Sequence, residues 1–201
     1  MSNYTNWLRI FGSIIALTGI IPCCSAQSET FTTLTSALDS IGTKFHVRFG
    51  LEYEASDKDR DAFTLNLSAD TVAQIMDELV SQKPKYKWKL VDGIYDIYPK
   101  ESTDSVTEVK IKAFHISNEN FQVVSHKLVD IPEIKEWLAK NGVKRREFQI
   151  GSGGETESRI SLNLSQTTLR SVLNQIVGKD GRTYWVVVRY GDKLEYVSIA
   201  F

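Results

Sequence analysis

The sequence predicts an α+β fold made of two tandem small modules, each with two helices packed on short strands in a βαββαββ-like order. Two observations support this prediction. The segment Phe63–Ser68 recurs in similar form as Ile160–Ser165, which indicates an internal repeat. In both copies apolar residues first alternate, as in a half-buried strand, and then recur at helical spacing.

The repeat continues from this strand through the helix and into the next strand. Apolar positions keep their spacing along the helix, and a tryptophan follows at the same distance in both copies. The matched pairs are Thr71 with Thr168, Val72 with Leu169, Ile75 with Val172, Met76 with Leu173, Leu79 with Ile176, Val80 with Val177 and Trp88 with Trp185. A match of this length indicates a duplicated unit.

Each copy is expected to cap its helix with polar side chains and to close with a β-hairpin. The capping segments are Ser68–Asp70 and Ser165–Thr167, and the helices are expected to end at Pro84 and Gly178. Asp92-Gly93 and Gly191-Asp192 are typical two-residue hairpin turns. The hairpin strands are Tyr86–Val91 with Ile94–Tyr98, and Tyr184–Tyr190 with Leu194–Ile199.

A short helix followed by a strand precedes each copy. The first helix is expected to end at Gly42, before a strand that includes Phe45, His46 and Val47. The second begins at Pro132, ends at Gly142 and precedes a strand over 146–150. The apolar helix positions are Leu34, Ala37, Leu38 and Ile41 in the first, and Ile134, Trp137 and Leu138 in the second.

These elements divide the chain into four parts. Residues 1–26 form a signal peptide, residues 30–100 the first module, residues 101–108 a linker, and residues 109–201 a second, more divergent module. The boundary is placed near residue 104, because Glu101–Ser105 is polar throughout. Val109–His115 alternates as an additional strand of the second module.

The N-terminus has the pattern of a secretory signal. A basic residue, Arg9, precedes the apolar segment Ile10–Ile21, and small residues precede a cleavage site after Ala26. About a dozen apolar residues are fewer than the roughly 20 of a membrane-spanning helix, so no span is expected in the mature chain. We therefore expect a periplasmic or secreted protein. Lipid attachment at Cys23 is the weaker alternative, because Pro22 stands where a lipoprotein signal has a small residue.

Charge and chemical motifs exclude several functions. The 24 basic and 25 acidic side chains are interspersed, which predicts no nucleic-acid partner, and the cluster of Lys140 with Lys144–Arg146 is interpreted as solvated. His46, His115 and His126 have no metal-site spacing. Asp57, Asp59 and Asp61 lack the glycine of a calcium loop, and Gly151–Gly154 lacks the lysine of a phosphate loop. No catalytic residue, metal or cofactor is predicted.

Over about two thirds of the mature chain, the residues expected in packing and turn positions follow the same order as in a known domain family. They are Ala37-Leu38, Phe63–Ser68, Thr71–Val80 and Tyr86–Pro99 in the first module, and Ser161–Val177 and Tyr184–Ile199 in the second. In these positions each module resembles the secretin and TonB N-terminus short domain. The resemblance implies a docking module on the periplasmic side of the outer membrane.

Two functional hypotheses follow. The first is an exported, non-catalytic binding or docking module of the bacterial cell envelope that engages another envelope protein or peptide. The alternative is a small periplasmic enzyme or ligand-binding protein with a site between the modules, using carboxylates such as Glu52, Glu54 or Asp61.

The strand Tyr184–Tyr190 carries the candidate interaction face. Trp185 and Val187 occupy the positions expected to face the module core. The opposite face is also apolar, and soluble monomers seldom leave such a face uncovered. Either the additional segment of the second module covers it, or it is the docking surface or a homodimer contact. The residues of the face are Tyr184, Val186, Val188 and Tyr190, and those of the additional segment are Phe114, Phe121, Val123, Val124 and Leu128.

Overall fold

The computed structural model describes residues 28–55, 61–101, 105–142, 144–145, 158–190 and 196–200, and it confirms the α+β class. In chain order the elements are β1 (Ser28–Phe31), α1 (Leu34–Phe45), β2 (Arg48–Ala55), β3 (Phe63–Asn66), α2 (Val72–Gln82), β4 (Tyr86–Val91), β5 (Ile94–Pro99), a 3₁₀ helix (Val106–Glu108), β6 (Lys110–Glu119), α3 (Phe121–Val129), α4 (Pro132–Lys140), β7 (Lys144–Arg145), β8 (Ile160–Thr168), α5 (Leu169–Asp180), β9 (Tyr184–Tyr190) and β10 (Tyr196–Ala200).

Most of the strands join one six-stranded sheet of order β4-β5-β2-β9-β10-β7, and β1-β3 and β6-β8 form two separate ribbons. Strand β2 is parallel to both of its neighbours, β5 and β9. We refer to residues 28–101 as the first half and residues 105–200 as the second half. The large sheet therefore continues across the predicted boundary near residue 104, through the pairing of β2 with β9.

Strand pairing follows the same scheme in both halves. The ribbons β1-β3 and β6-β8 are antiparallel, β5 pairs in parallel with β2 as β10 does with β7, and both hairpins, β4-β5 and β9-β10, are antiparallel. This recurrence is consistent with the repeat seen in the sequence. The tandem two-module layout stays a prediction.

Two hydrophobic cores lie on opposite faces of the sheet, because alternate residues of its strands point to opposite sides. The first core includes residues of α1, α2, β2 and β3, and the second includes residues of α3, α4, α5, β6 and β8. Among the described residues, each core also receives one fully packed residue from the other half: Val186 lies in the first core and Ile94 in the second.

Strand β9 is buried on both faces, and this corrects the expectation for the candidate interaction face. Val186 is only 5% exposed and packs in the first core, where Tyr184 and Val188 are partly buried against it. The first half therefore covers three of the four face residues. The described side chains of β9 end before the fourth, Tyr190.

The additional segment does not provide this cover. Its apolar residues pack in the second core, on the side of the sheet occupied by Trp185 and Val187. The expectation was wrong because no local pattern indicates that β9 pairs with β2 and lies beneath the helices of the first half. The residues concerned are Phe114, Phe121, Val124 and Leu128.

The helix boundaries differ from the predictions by one to three residues. Thr71 and Thr168 cap α2 and α5, one residue after the predicted capping segments. Helix α1 continues past Gly42 and ends at Phe45. Gly42 serves close packing instead, because a Cβ at this position would lie 2.3 Å from Thr183 Cγ2. His46 is the left-handed C-cap of α1, with φ 54, and not a strand residue.

Two further expectations change. Helix α5 passes Gly178 and ends at Asp180, before the left-handed Gly181. In the predicted linker, Ser105 and Thr107 are buried, because their hydroxyl groups bind a buried carboxylate described below.

Several predictions lie outside the described residues: the signal peptide with its cleavage site after Ala26, Cys23, Asp57 and Asp59, the segment Gly151–Gly154, the strand over 146–150 and the turn Gly191-Asp192. Within the described part of the chain, none of the helices has both the length and the apolar character needed to cross a membrane.

Candidate functional site

A buried ionic cluster joins the two halves of the chain. Glu52 on β2 and Asp96 on β5 point to the face of the sheet that α5 covers, where they meet Arg170 from the first turn of α5. The three residues are 1%, 0% and 4% exposed, respectively. We call Glu52, Asp96 and Arg170 the junction cluster. Fully buried charges require close partners, so the packing of the halves depends on the geometry of this cluster.

Glu52 is the most completely bonded residue of the junction cluster. Its carboxylate accepts hydrogen bonds from the Ser105 hydroxyl, from Thr107 Oγ1 at 2.5 Å and from Arg170 Nη2. Ser105 caps the 3₁₀ helix at the start of the second half and Thr107 lies in it, so one carboxylate of β2 binds both this helix and α5. Charge-assisted hydrogen bonds of this kind are stronger than neutral ones.

Arg170 links the cluster to the surface. Its Nη2 donates to Thr107 Oγ1 at 2.8 Å, its Nε donates to Glu108 Oε1 at 2.9 Å, and its Nη1 lies 3.5 Å from Asp96 Oδ2. The guanidinium also lies 5.1 Å from the centre of the Tyr98 ring. Burial opposes its charge, but the carboxylates of Glu52 and Asp96 outweigh this effect and raise the pKa of Arg170, which therefore stays protonated.

Asp96 is the least well-bonded member. Its Oδ2 accepts a long hydrogen bond of 3.5 Å from Asn174, whose own side-chain oxygen accepts one of 2.6 Å from the Trp185 indole. Among the described residues, Asp96 Oδ1 and Arg170 Nη1 have no hydrogen-bond partner. Burial raises the pKa of Asp96 to about 6 although Arg170 acts in the opposite direction. The carboxyl group thus exchanges its proton just below neutral pH.

Gly50 makes room for this arrangement on β2. A Cβ at this position would lie 2.3 Å from Trp185 Cζ2 and 2.5 Å from Asp96 Oδ1. Any larger residue would displace either the indole or the carboxyl group.

Replacing Asp96 with asparagine should stabilise the protein at pH 7 and above. The pKa of Asp96 rises from 3.8 to about 6 on folding, so between these values the native state binds a proton that the unfolded state has released. The contribution of Asp96 to wild-type stability therefore falls as pH rises from about 4 to 6. The difference corresponds to about 3 kcal/mol. Urea unfolding from pH 3.5 to 8 should show the Asp96→Asn variant gaining over the wild type across this interval. An equal pH dependence in both proteins would contradict the raised pKa.

Of the carboxylates proposed from the sequence, the structure brings only Glu52 to the junction. The backbone N–H of Glu54 donates to the Tyr86 hydroxyl at 3.3 Å, and the exposed Asp61 accepts a bond from Lys83 at its backbone carbonyl. Sequence reasoning missed Arg170 and Asp96. The available signal was a charged residue at an inward position of each element: Arg170 beside Leu169 in a helix, and Asp96 between Ile94 and Tyr98 in a strand.

The three histidines lie on separate elements: His46 at the end of α1, His115 on β6 and His126 on α3. Among the described residues, no group of three histidine, cysteine, aspartate or glutamate side chains has the arrangement of a metal site. In the junction cluster, Asp96 can take up a proton, and the ion pairs of Arg170 with Glu52 and Asp96 hold α5 against the first half.

Comparisons with family models, curated proteins and solved structures give no match to this chain. The resemblance to the secretin and TonB N-terminus short domain therefore stays a prediction that depends on the packing and turn positions named above.

Proposed function

We propose that the chain is an exported, non-catalytic docking module of the bacterial cell envelope, which binds another envelope protein or peptide. The observation that carries this proposal is the position of β4 at the end of the six-stranded sheet. An edge strand presents unpaired backbone groups and can accept a strand from another chain.

The register of the hairpin identifies the backbone groups of β4 that have no strand partner among the described residues. Lys100 N–H donates to the Lys85 carbonyl at 2.8 Å, so alternate residues from Lys85 onward exchange hydrogen bonds with β5. The N–H and C=O groups of Trp88 and Leu90, which lie between them, point away from β5. Leu90 is 56% exposed and adds an apolar contact at the same edge.

The candidate face on β9 does not serve this function, because the first half covers Val186 and its neighbours. The alternative of an enzyme or ligand-binding site between the modules has weaker support. Glu52 and Asp96 do lie at the junction, but a reacting group must reach its substrate, and these side chains are 1% and 0% exposed. In this proposal the junction cluster holds the halves together and β4 makes the external contact.

Site-specific photocrosslinking in intact cells tests the proposal. A photoreactive residue at position 90 should give a discrete crosslinked species with another envelope protein, because the β4 edge is the contact. The matched control places the same residue at Glu136, an exposed position of α4 in the second half. The proposal fails if position 90 gives no crosslink beyond those seen from position 136.

A further inference from the structure

One face of the β4-β5 hairpin carries a strongly basic surface. Alternation along β4 places Lys85, Lys87 and Lys89 on the same face, and Lys100 lies across from Lys85. The amino groups of Lys87 and Lys89 lie 5.0 and 5.1 Å from the centre of the Tyr98 ring. We call these four lysines the basic strip.

Within the described part of the chain, no carboxylate forms an ion pair within 4.0 Å of Lys87 or Lys89. Asp96 is paired with Lys89 in the hairpin register and lies on the same face of the sheet, but its carboxyl group is fully buried and faces Arg170. The same Tyr98 ring also contacts the guanidinium of Arg170. Because Arg170 is already paired with Glu52 and Glu108, the excess of positive charge beside the Tyr98 ring comes from Lys87 and Lys89, and it favours an anionic partner.

We propose that the edge of β4 binds an extended acidic peptide segment that adds to the sheet as a further strand. This inference rests on the proposed docking function and specifies the partner. Backbone groups of the peptide would bond to the free N–H and C=O groups of Trp88 and Leu90. Alternate acidic side chains would face Lys87 and Lys89, and the intervening apolar side chains would contact Trp88 and Leu90.

A second copy of this chain fits the edge less well. Two antiparallel β4 strands related by a twofold axis would place Lys87 opposite Lys89, or Lys89 opposite itself. Like charges directly opposite on paired strands are destabilising. Lysines on an edge strand also hinder self-association in general, so charge complementarity selects a different, acidic chain.

The probe is a seven-residue peptide in which valine and glutamate alternate, with blocked ends, titrated into the full mature chain at low salt. The wild type should bind it, and should bind the matched peptide with lysine in place of glutamate at least about tenfold more weakly. Binding is measured by calorimetry, and amide exchange of Trp88 and Leu90 should slow when the acidic peptide is bound.

Two variants separate strand addition from simple charge attraction. Leu90→Pro removes one outward N–H without removing a bond to β5, a change that edge strands tolerate, and should weaken binding about tenfold. Leu90→Ala keeps the N–H and should bind within about threefold of wild type. The double variant Lys87→Glu/Lys89→Glu should reverse the preference in favour of the lysine peptide. Thermal unfolding checks that each variant is folded.

Several results would overturn the inference. One is equal binding of the acidic peptide by Leu90→Pro and wild type, which would exclude strand addition. Another is strong binding to phosphatidylglycerol vesicles without peptide binding, which would make the basic strip a lipid contact. A third is an unchanged affinity of the Lys87→Glu/Lys89→Glu variant for both peptides, which would show that the two lysines do not select the partner. If the peptide does not bind but position 90 still crosslinks to an envelope protein, the acidic partner is wrong and the docking function stands.

Discussion

Replacing Arg170 with methionine should lower the free energy of unfolding by about 3–5 kcal/mol. The substitution removes the only cation that contacts both Glu52 and Asp96 among the described residues, and it leaves Glu52 charged, 1% exposed and bonded to hydroxyl groups alone. Methionine retains much of the side-chain volume, so the loss reports mainly the uncompensated charge. Urea unfolding at pH 7 measures the effect.

A matched control comes from a surface ion pair. Lys127 and Glu119 lie 2.8 Å apart, with side chains 43% and 30% exposed, so Lys127→Met should cost no more than about 1 kcal/mol. Adding Glu52→Gln to Arg170→Met should recover part of the loss, because the neutral amide no longer needs a counter-charge. If Arg170→Met cost as little as Lys127→Met, the junction cluster would not contribute to the stability of the fold.

Replacing Val186 with lysine should be the other large effect, with a loss of at least about 3 kcal/mol. Val186 is 5% exposed and belongs to the first core although it lies on β9, so its replacement buries an unpaired amino group between the halves. Thermal and urea unfolding measure the loss. Size-exclusion chromatography shows whether the variant stays in the same oligomeric state as the wild type.

The exposed Leu90 gives the control for lysine substitution at an apolar strand position. Leu90→Lys should change the free energy of unfolding by no more than about 0.5 kcal/mol. Normal stability of Val186→Lys together with loss of a partner or of a dimer would mean that the β9 face is an external contact after all. Unchanged stability and unchanged association would contradict both interpretations of this face.

The local elements were predictable from sequence because short-range patterns determine them. Alternation in β3 and β8 and helical spacing in α2 and α5 gave the element types, and Asp92-Gly93 gave the first hairpin turn. The ends were less accurate, since Gly42 has a packing role that resembles a helix-ending signal in the sequence alone. Helix α3 was not predicted, although its apolar residues were recognised as an additional packing segment.

The site was predictable only in part because it depends on long-range contacts. Glu52 was identified as a carboxylate between the modules, and β9 was identified as a strand with two apolar faces. The pairing of β2 with β9 determines which surface covers the Val186 face of β9. Neither strand carries a local signal for this pairing. The same pairing brings Arg170 to Glu52 and Asp96, so the partners of the junction cluster could not be deduced from spacing.

The parallel pairing of β2 with β9 also affects the order in which the chain can fold. Phe49 pairs with Tyr184 and Tyr53 with Val188, so the central strand of the sheet receives one neighbour only from the last part of the chain. When the protein emerges N-terminus first, β2 has β5 on one side and an open edge on the other until β9 arrives. Contacts of such high sequence separation form slowly. The first half therefore passes through a stage in which a second edge strand is exposed to aggregation before the sheet closes.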